Sequence, residues 1–160
     1  MNGLFTIGYE QAALDNFLTV LDGEKIDVLL DIREAPISRR KEFSKNALRA
    51  VLTRAGIEYR HEKLLGTPKV IRDKFRENND DKAFFKAFDR HLRKQNALLQ
   101  KLAEELNGNV ALMCYERDYT QCHRSAVASA IAGITGLQPK HLEVNQDKPG
   151  DAPQMSFSDF

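Results

Sequence analysis

Nowhere does the chain hold the roughly 20 consecutive apolar residues that a membrane-crossing helix needs. No membrane partner is therefore expected. The start, Met1-Asn-Gly-Leu-Phe-Thr-Ile-Gly-Tyr9, lacks the basic region and apolar stretch of a secretory signal. There is no Gly-rich dinucleotide fingerprint and no phosphate-binding P-loop, so no nucleotide cofactor is indicated. Internal repeats, low-complexity segments and heptad patterns are missing too. That argues against a repeat array or a long coiled coil and leaves the oligomeric state open. An excess of one charge is also lacking: 24 Lys+Arg face 23 Asp+Glu, for a net +1, which speaks against a generic polyanion binder. Cysteine is scarce. Two cysteines in a chain without an export signal read as reduced thiols in a cytoplasm.

Both cysteines fall in one segment, Cys114-Tyr-Glu-Arg-Asp-Tyr-Thr-Gln-Cys-His-Arg124. The apolar run Val110-Ala-Leu-Met113 before it reads as a buried strand, and Ser125-Ala-Val-Ala-Ser-Ala-Ile-Ala132 after it reads as a helix. The first N–H groups of a helix have no internal partner, and the helix dipole is positive there. A thiolate or a bound anion is favoured at that end, and a cysteine so placed is able to ionise well below its usual ~8.5. Arg124 adds a fixed positive charge, His123 is a base or donor near neutrality, and Glu116 is placed to orient either of them. Other roles fit the same cysteines: small core residues, a disulfide, or two ligands of a zinc site that lacks the usual paired spacing. A functional thiol or anion site is the favoured reading, and no metal is expected.

The composition, 42% hydrophobic and 29% charged over 160 residues, suits one globular domain with a sizeable core. Leu4–Gly8 reads as a short strand, and Leu14, Phe17, Leu18 and Leu21 have helical spacing up to Asp22-Gly23. Ile26–Ile32 is apolar enough for a central parallel strand. A polar loop runs from Arg33 to Glu42. Ser44 then caps a helix to about Ala55, with Gly56 as its stop. Ile57–Arg60 is a third strand, Leu64–Pro68 a turn, and residues 69–78 a short helix. Asp81 to Leu106 reads as one long helix. Its apolar stripe is Phe84, Phe88, Leu92, Leu99, Leu102 and Leu106; Phe84, Phe85 and Phe88 resemble an aromatic ligand box, and core packing is the favoured reading. His141–Val144 is a last strand. Residues 1–145 are expected to form one domain and 146–160 a loosely ordered tail, where Met155, Phe157 and Phe160 are able to dock.

Strands alternating with helices predict an α/β fold. We expect a single three-layer domain with a mainly parallel sheet of four to five strands and helices on both faces. Ligands of such sheets bind beyond the carboxyl ends of the strands. That rule selects Gly8, Tyr9 and Glu10 after the first strand, and Asp31, Arg33, Ser38, Arg39 and Arg40 after the second. It selects His61 and Gly66 after the third, and the Cys114 loop after the fourth. Each has a plainer role. Asp31 and Arg33 can pair with each other, Arg39-Arg40-Lys41 can be a solvated loop, His61 can be a surface residue, and Gly8 can serve a tight turn.

Four motifs then carry a family resemblance: Thr6-Ile-Gly-Tyr9; Leu30-Asp-Ile-Arg33 with Pro36 and Ser38-Arg39; Tyr59-Arg-His61 with Leu65-Gly66; and Cys114-Tyr-Glu116 through Cys122-His-Arg124. Together, from about residue 4 to residue 135, the chain resembles the DUF488 family, a domain of unknown function. The resemblance implies that the four motifs converge on one pocket. A looser likeness is to rhodanese-type and cysteine-phosphatase folds, in which an Asp-x-Arg follows an early strand and a catalytic cysteine ends a late one. Those families place a short cradle between cysteine and helix, whereas Cys114 and Arg124 lie ten positions apart.

The leading expectation is a cytoplasmic, cysteine-dependent transferase or hydrolase without a cofactor, acting on a small anionic substrate. Cys122 or Cys114 is the nucleophile or redox thiol, with His123 and Glu116 as acid–base groups. Arg124, Arg33, Arg39, Gly8, Tyr9, Asp31 and His61 form the binding surface. The first alternative is nucleic-acid binding or processing. Residues 33–63 carry nine Lys/Arg against four Glu, a local excess of five positive charges that is suited to a phosphate backbone. The second is a non-catalytic sensor of a small anion or nucleotide.

Overall fold

The computed structural model describes residues 1–146; the expected docking of Met155, Phe157 and Phe160 lies outside the described residues. The elements are β1 (Gly3–Gly8), α1 (Leu14–Gly23), β2 (Val28–Asp31), α2 (Lys45–Arg54), β3 (Glu58–His61) and α3 (Lys69–Asn78). They continue with α4 (Asp81–Arg93), α5 (Asn96–Glu105), β4 (Asn109–Cys114), α6 (Arg124–Thr135) and β5 (Lys140–Leu142). The five strands form one sheet in the order β3-β2-β4-β1-β5, and every pairing is parallel. The fold is α/β, as the alternation predicts.

The pleat of the sheet sorts its apolar side chains to two faces. Leu4, Val28, Leu30, Val110 and Leu112 pack with Phe88 and Leu92 of α4, Leu99 and Leu102 of α5, and Val127 and Ile131 of α6. Ile7, Leu29, Ala111 and Met113 pack with Phe17 and Leu21 of α1 and with Leu48 and Leu52 of α2. β2 and β4 are buried on both sides, which is why their sequences are apolar runs rather than alternations. The register sets Gly8 beside Cys114 and Asp31 beside Met113, so the carboxyl ends of β1, β4 and β2 lie side by side.

Four local expectations are corrected. The single helix over 81–106 is two helices, broken at Lys94-Gln95, where Gln95 leaves helical geometry at φ −100° and ψ 15°. Leu92 and Leu99 are seven apart, so the apolar stripe runs through the break unchanged and hides it. Phe88 is core, but Phe84 and Phe85 are only half-buried. Ser44 is the N-cap residue of α2, yet its hydroxyl accepts from the Ser38 N–H at 3.0 Å and donates to the Ser38 carbonyl instead of capping the helix. The last strand also begins one residue early, at Lys140.

α3 stands apart from the layers. None of its residues is buried, and it packs on α4 as a hairpin through Phe75 and Phe84, whose ring centroids are 5.2 Å apart. Asn79, in the left-handed conformation at φ 49°, ends α3, and the Asp80 carboxylate accepts from the Ala83 N–H at 3.0 Å to start α4. The hairpin rises beyond the carboxyl end of the sheet and makes one wall of a cleft.

Candidate active site

Beyond the strand ends lies a cleft of about 1310 Å³. Tyr9, Arg33, Arg39, Cys114, Glu116 and His123 all line it. Three of the four sequence-separated motifs thus meet in one place; of the third, none of Tyr59, His61 or Gly66 lines the cleft. Two glycines allow the approach. A Cβ on Gly8 would overlap the Glu116 carbonyl and lie 2.8 Å from Nη1 of Arg124. A Cβ on Gly66 would lie 2.7 Å from Cα of Glu34 and 2.8 Å from the carbonyl carbon of Arg33. Both serve close backbone contact rather than unusual dihedrals.

Asp31 and Arg33 form a sealed ion pair at the end of β2. Nη2 and Nε of Arg33 donate to the two carboxylate oxygens at 2.7 and 2.9 Å, and the Arg33 N–H donates at 3.1 Å. The Tyr59 hydroxyl adds a fourth donor at 2.5 Å. Burial works to lower the Arg33 pKa, but the Asp31 hydrogen bonds and charge outweigh it, so the guanidinium is firmly cationic. Burial, then the Asp31 contact, holds the Tyr59 phenol above its ordinary range. Nη1 of Arg33 remains to donate to the Tyr9 hydroxyl at 3.1 Å. His61 does not reach the cleft; its Nε2 donates to the Arg33 carbonyl at 2.7 Å and fixes that turn.

The thiols lie on the other side of Tyr9. Cys114 ends β4, and Cys122 precedes α6. Their sulfurs are in contact, with Cα atoms 7.6 Å apart, wider than an ordinary disulfide spans. The two cysteines that the sequence read as reduced thiols are thus neighbours at the base of the cleft. Cys114 faces the cleft and Cys122 sits behind it.

Arg124 is the first residue of α6 and is wholly buried. Its Nε donates to Thr6 Oγ1 at 3.2 Å, its Nη2 to the Arg117 carbonyl at 2.9 Å, and its Nη1 to the Glu116 carbonyl and to Cys114 Sγ, the latter at 3.2 Å. Among the described residues no carboxylate lies within ion-pair distance of it. Burial pulls the Arg124 pKa down to about 10, and Glu116 and Asp118 oppose the fall. Its guanidinium is therefore spent beneath the cleft and does not reach into it.

Glu116 is half-buried beside Cys114, and its Oε2 is 3.4 Å from the sulfur. Burial raises its carboxyl pKa, which makes it a better proton acceptor than an exposed carboxylate. It does not orient His123. The His123 ring packs edge-on against Phe88 and its Nε2 lies 3.2 Å from the Ile32 carbonyl, so Nε2 carries the proton. Nδ1 then faces Cys122 Sγ at 3.8 Å as an acceptor. Burial lowers the His123 pKa to about 4, so the ring is neutral around pH 7. The Arg124 backbone N–H donates to Cys122 Sγ at 3.4 Å, a direct contact with the helix N-terminus.

Some groups here were not singled out from the sequence. Thr6 and Tyr59 stood inside quoted motifs, but only as neighbours of Tyr9 and His61. Phe75, Arg72 and Arg76 lie on α3, a helix with no buried face, and no motif marked them. For metals, Cys114, Glu116 and Cys122 offer ligand atoms all within 4.8 Å of one another. When reduced, that set suits a soft divalent ion with an open coordination position.

Residues 13–131 match the family described as domain of unknown function DUF488. No curated protein and no solved structure matches the chain, so the likeness to rhodanese-type folds rests only on the residues that suggested it. A match over most of the chain places this protein in the DUF488 family.

Proposed function

We propose that the protein is a thiol-dependent enzyme acting on an anionic substrate, with Cys114 as the nucleophile. The observation that carries this is the buried Arg124 guanidinium, which among the described residues has no carboxylate within ion-pair distance and lies 3.2 Å from Cys114 Sγ. A buried charge is costly unless a close counter-charge meets it, and Glu116 and Asp118 act on this one only from beyond ion-pair distance. With both cysteines reduced, a Cys114 thiolate supplies the close counter-charge. Cys122 faces a neutral imidazole acceptor and keeps its proton. The two thiols are thereby made unequal.

Glu116 takes the Cys114 proton, and the thiolate attacks the electrophilic centre of the substrate. The bond from sulfur to that centre forms, the bond to the leaving group breaks, and the departing group takes the electron pair and the proton held on Glu116. Water or an acceptor, deprotonated by Glu116, then displaces the thiolate and completes hydrolysis or transfer. Arg39 and the donors around Arg33 and Tyr9 hold the anionic part of the substrate. A low-molecular-weight disulfide oxidises the pair by exchange, is itself reduced to two thiols, and withdraws the nucleophile.

The test compares iodoacetate with the neutral iodoacetamide on the reduced protein, read by peptide mass spectrometry. Relative to a free thiol, Cys114 should prefer the anionic reagent by about tenfold at low salt, and Arg39→Ala should erode that preference. Equal preference at Cys114 and at a free thiol would contradict an anion-selective thiol site.

A further inference from the structure

The cleft is far larger than a small inorganic anion, and its outer wall is not built like its floor. We infer that its ligand is a nucleoside phosphate, with the base on the aromatic wall of the α3–α4 hairpin and the phosphate among the arginines. This rests on the anionic-substrate reading above and names the class. Phe75, Phe84 and Phe85 line the cleft while only half-buried, with Phe75–Phe84 and Phe84–Phe85 centroids each 5.2 Å apart. Partly exposed phenyl rings grouped on a cleft wall lose their hydration when an apolar group covers them, and a flat ring covers them with stacked contact. Base–aromatic stacking is such a cover and is tolerant of base identity.

Beside the rings stand cations with spare donors. Arg39 is exposed and has no hydrogen-bond or ion-pair partner among the described residues. Arg72 gives Nη2 to Glu34 at 2.8 Å, but its Nε–H is buried without a partner. Among the described residues, Arg76 makes only a long, exposed contact to Asp73 at 3.4 Å. A phosphate offers several acceptor oxygens to these N–H groups at once. A simple aromatic carboxylate would fill one end of this surface only.

Isothermal calorimetry on the full chain tests the assignment with a nucleoside 5′-monophosphate, its parent nucleoside, inorganic phosphate, benzoate and a short single-stranded oligonucleotide. The monophosphate should bind at least about tenfold more tightly than nucleoside, phosphate or benzoate, and Phe84→Ala and Arg72→Ala should each weaken it by about tenfold. Unchanged circular dichroism would show that the variants remain folded. Tighter binding of the oligonucleotide than of the monophosphate identifies a strand as the source of the group; the reverse identifies a free nucleotide. No saturable binding of either phosphate ester, or binding indifferent to Phe84→Ala, would overturn the inference. The thiol assay separates the two readings. Selective alkylation without nucleotide binding contradicts this inference alone, and nucleotide binding without selective alkylation contradicts the thiol reading alone.

Discussion

A charged side chain sealed from water must find its compensation inside the protein, and Arg124 and His123 meet that demand in opposite ways. Arg124 keeps its charge and leans on two carbonyls, a hydroxyl and a sulfur. His123 gives up its charge, with a pKa brought down to about 4 by burial. The sign of the resulting pH dependence follows. Between 6.5 and about 4 the unfolded chain binds a proton at this residue that the folded state refuses, so stability falls as the pH is lowered through that window. The loss from His123 should reach up to about 3 kcal/mol. Glu116 opposes it in part, because a raised carboxyl pKa favours the folded state on acidification. Urea unfolding against pH should show a shallower acid loss for His123→Gln, which retains a donor for the Ile32 carbonyl. Parallel profiles for the two proteins would show that the ring is not the titrating group.

Among the elements, the turn after β3 controls the geometry of the Asp31–Arg33 pair. Leu65 is buried in the core, and Gly66 passes directly over the Arg33–Glu34 backbone. Gly66→Ala forces that backbone away and should cost about 1–3 kcal/mol, as overpacking does in a filled interior. Thermal melting would measure it; an unchanged midpoint would mean that the contact is loose. This turn also shows what a sequence can and cannot reveal. Gly8, Gly66, Asp31 and Cys114 were legible because strand ends in a parallel sheet gather such residues at one rim. The partnering was left open. Arg33 was a candidate ligand for substrate or a partner for Asp31, and most of its donors serve Asp31. Arg124 was another, and it is buried beneath the thiols. The break between α4 and α5 was invisible because the apolar period continues across it. The aromatic group at 84–88 was visible but assigned to the core, because Phe84 sits in phase with Phe88 and only packing shows that the core ends between them.

For the whole molecule, the strand order does the assembling. β4 enters between β1 and β2, so the cysteine at its end arrives between Gly8-Tyr9 on one side and Asp31-Arg33 on the other. α6 then runs back from the same rim with Arg124 under the sulfur. The α3–α4 hairpin closes the opposite side of the cleft. No helix among the described residues is long and apolar enough to cross a membrane. The central claim is that reduction leaves a thiolate at Cys114, held by Arg124, and a protonated thiol at Cys122. The most direct test follows the alkylation rates of Cys114 and Cys122 separately against pH, on reduced protein, by peptide mass spectrometry. The account predicts that Cys114 still reacts rapidly at pH values well below the ~8.5 of an ordinary thiol, while Cys122 stays slow. Two cysteines that titrate alike, or that react only once the protein unfolds, would contradict it.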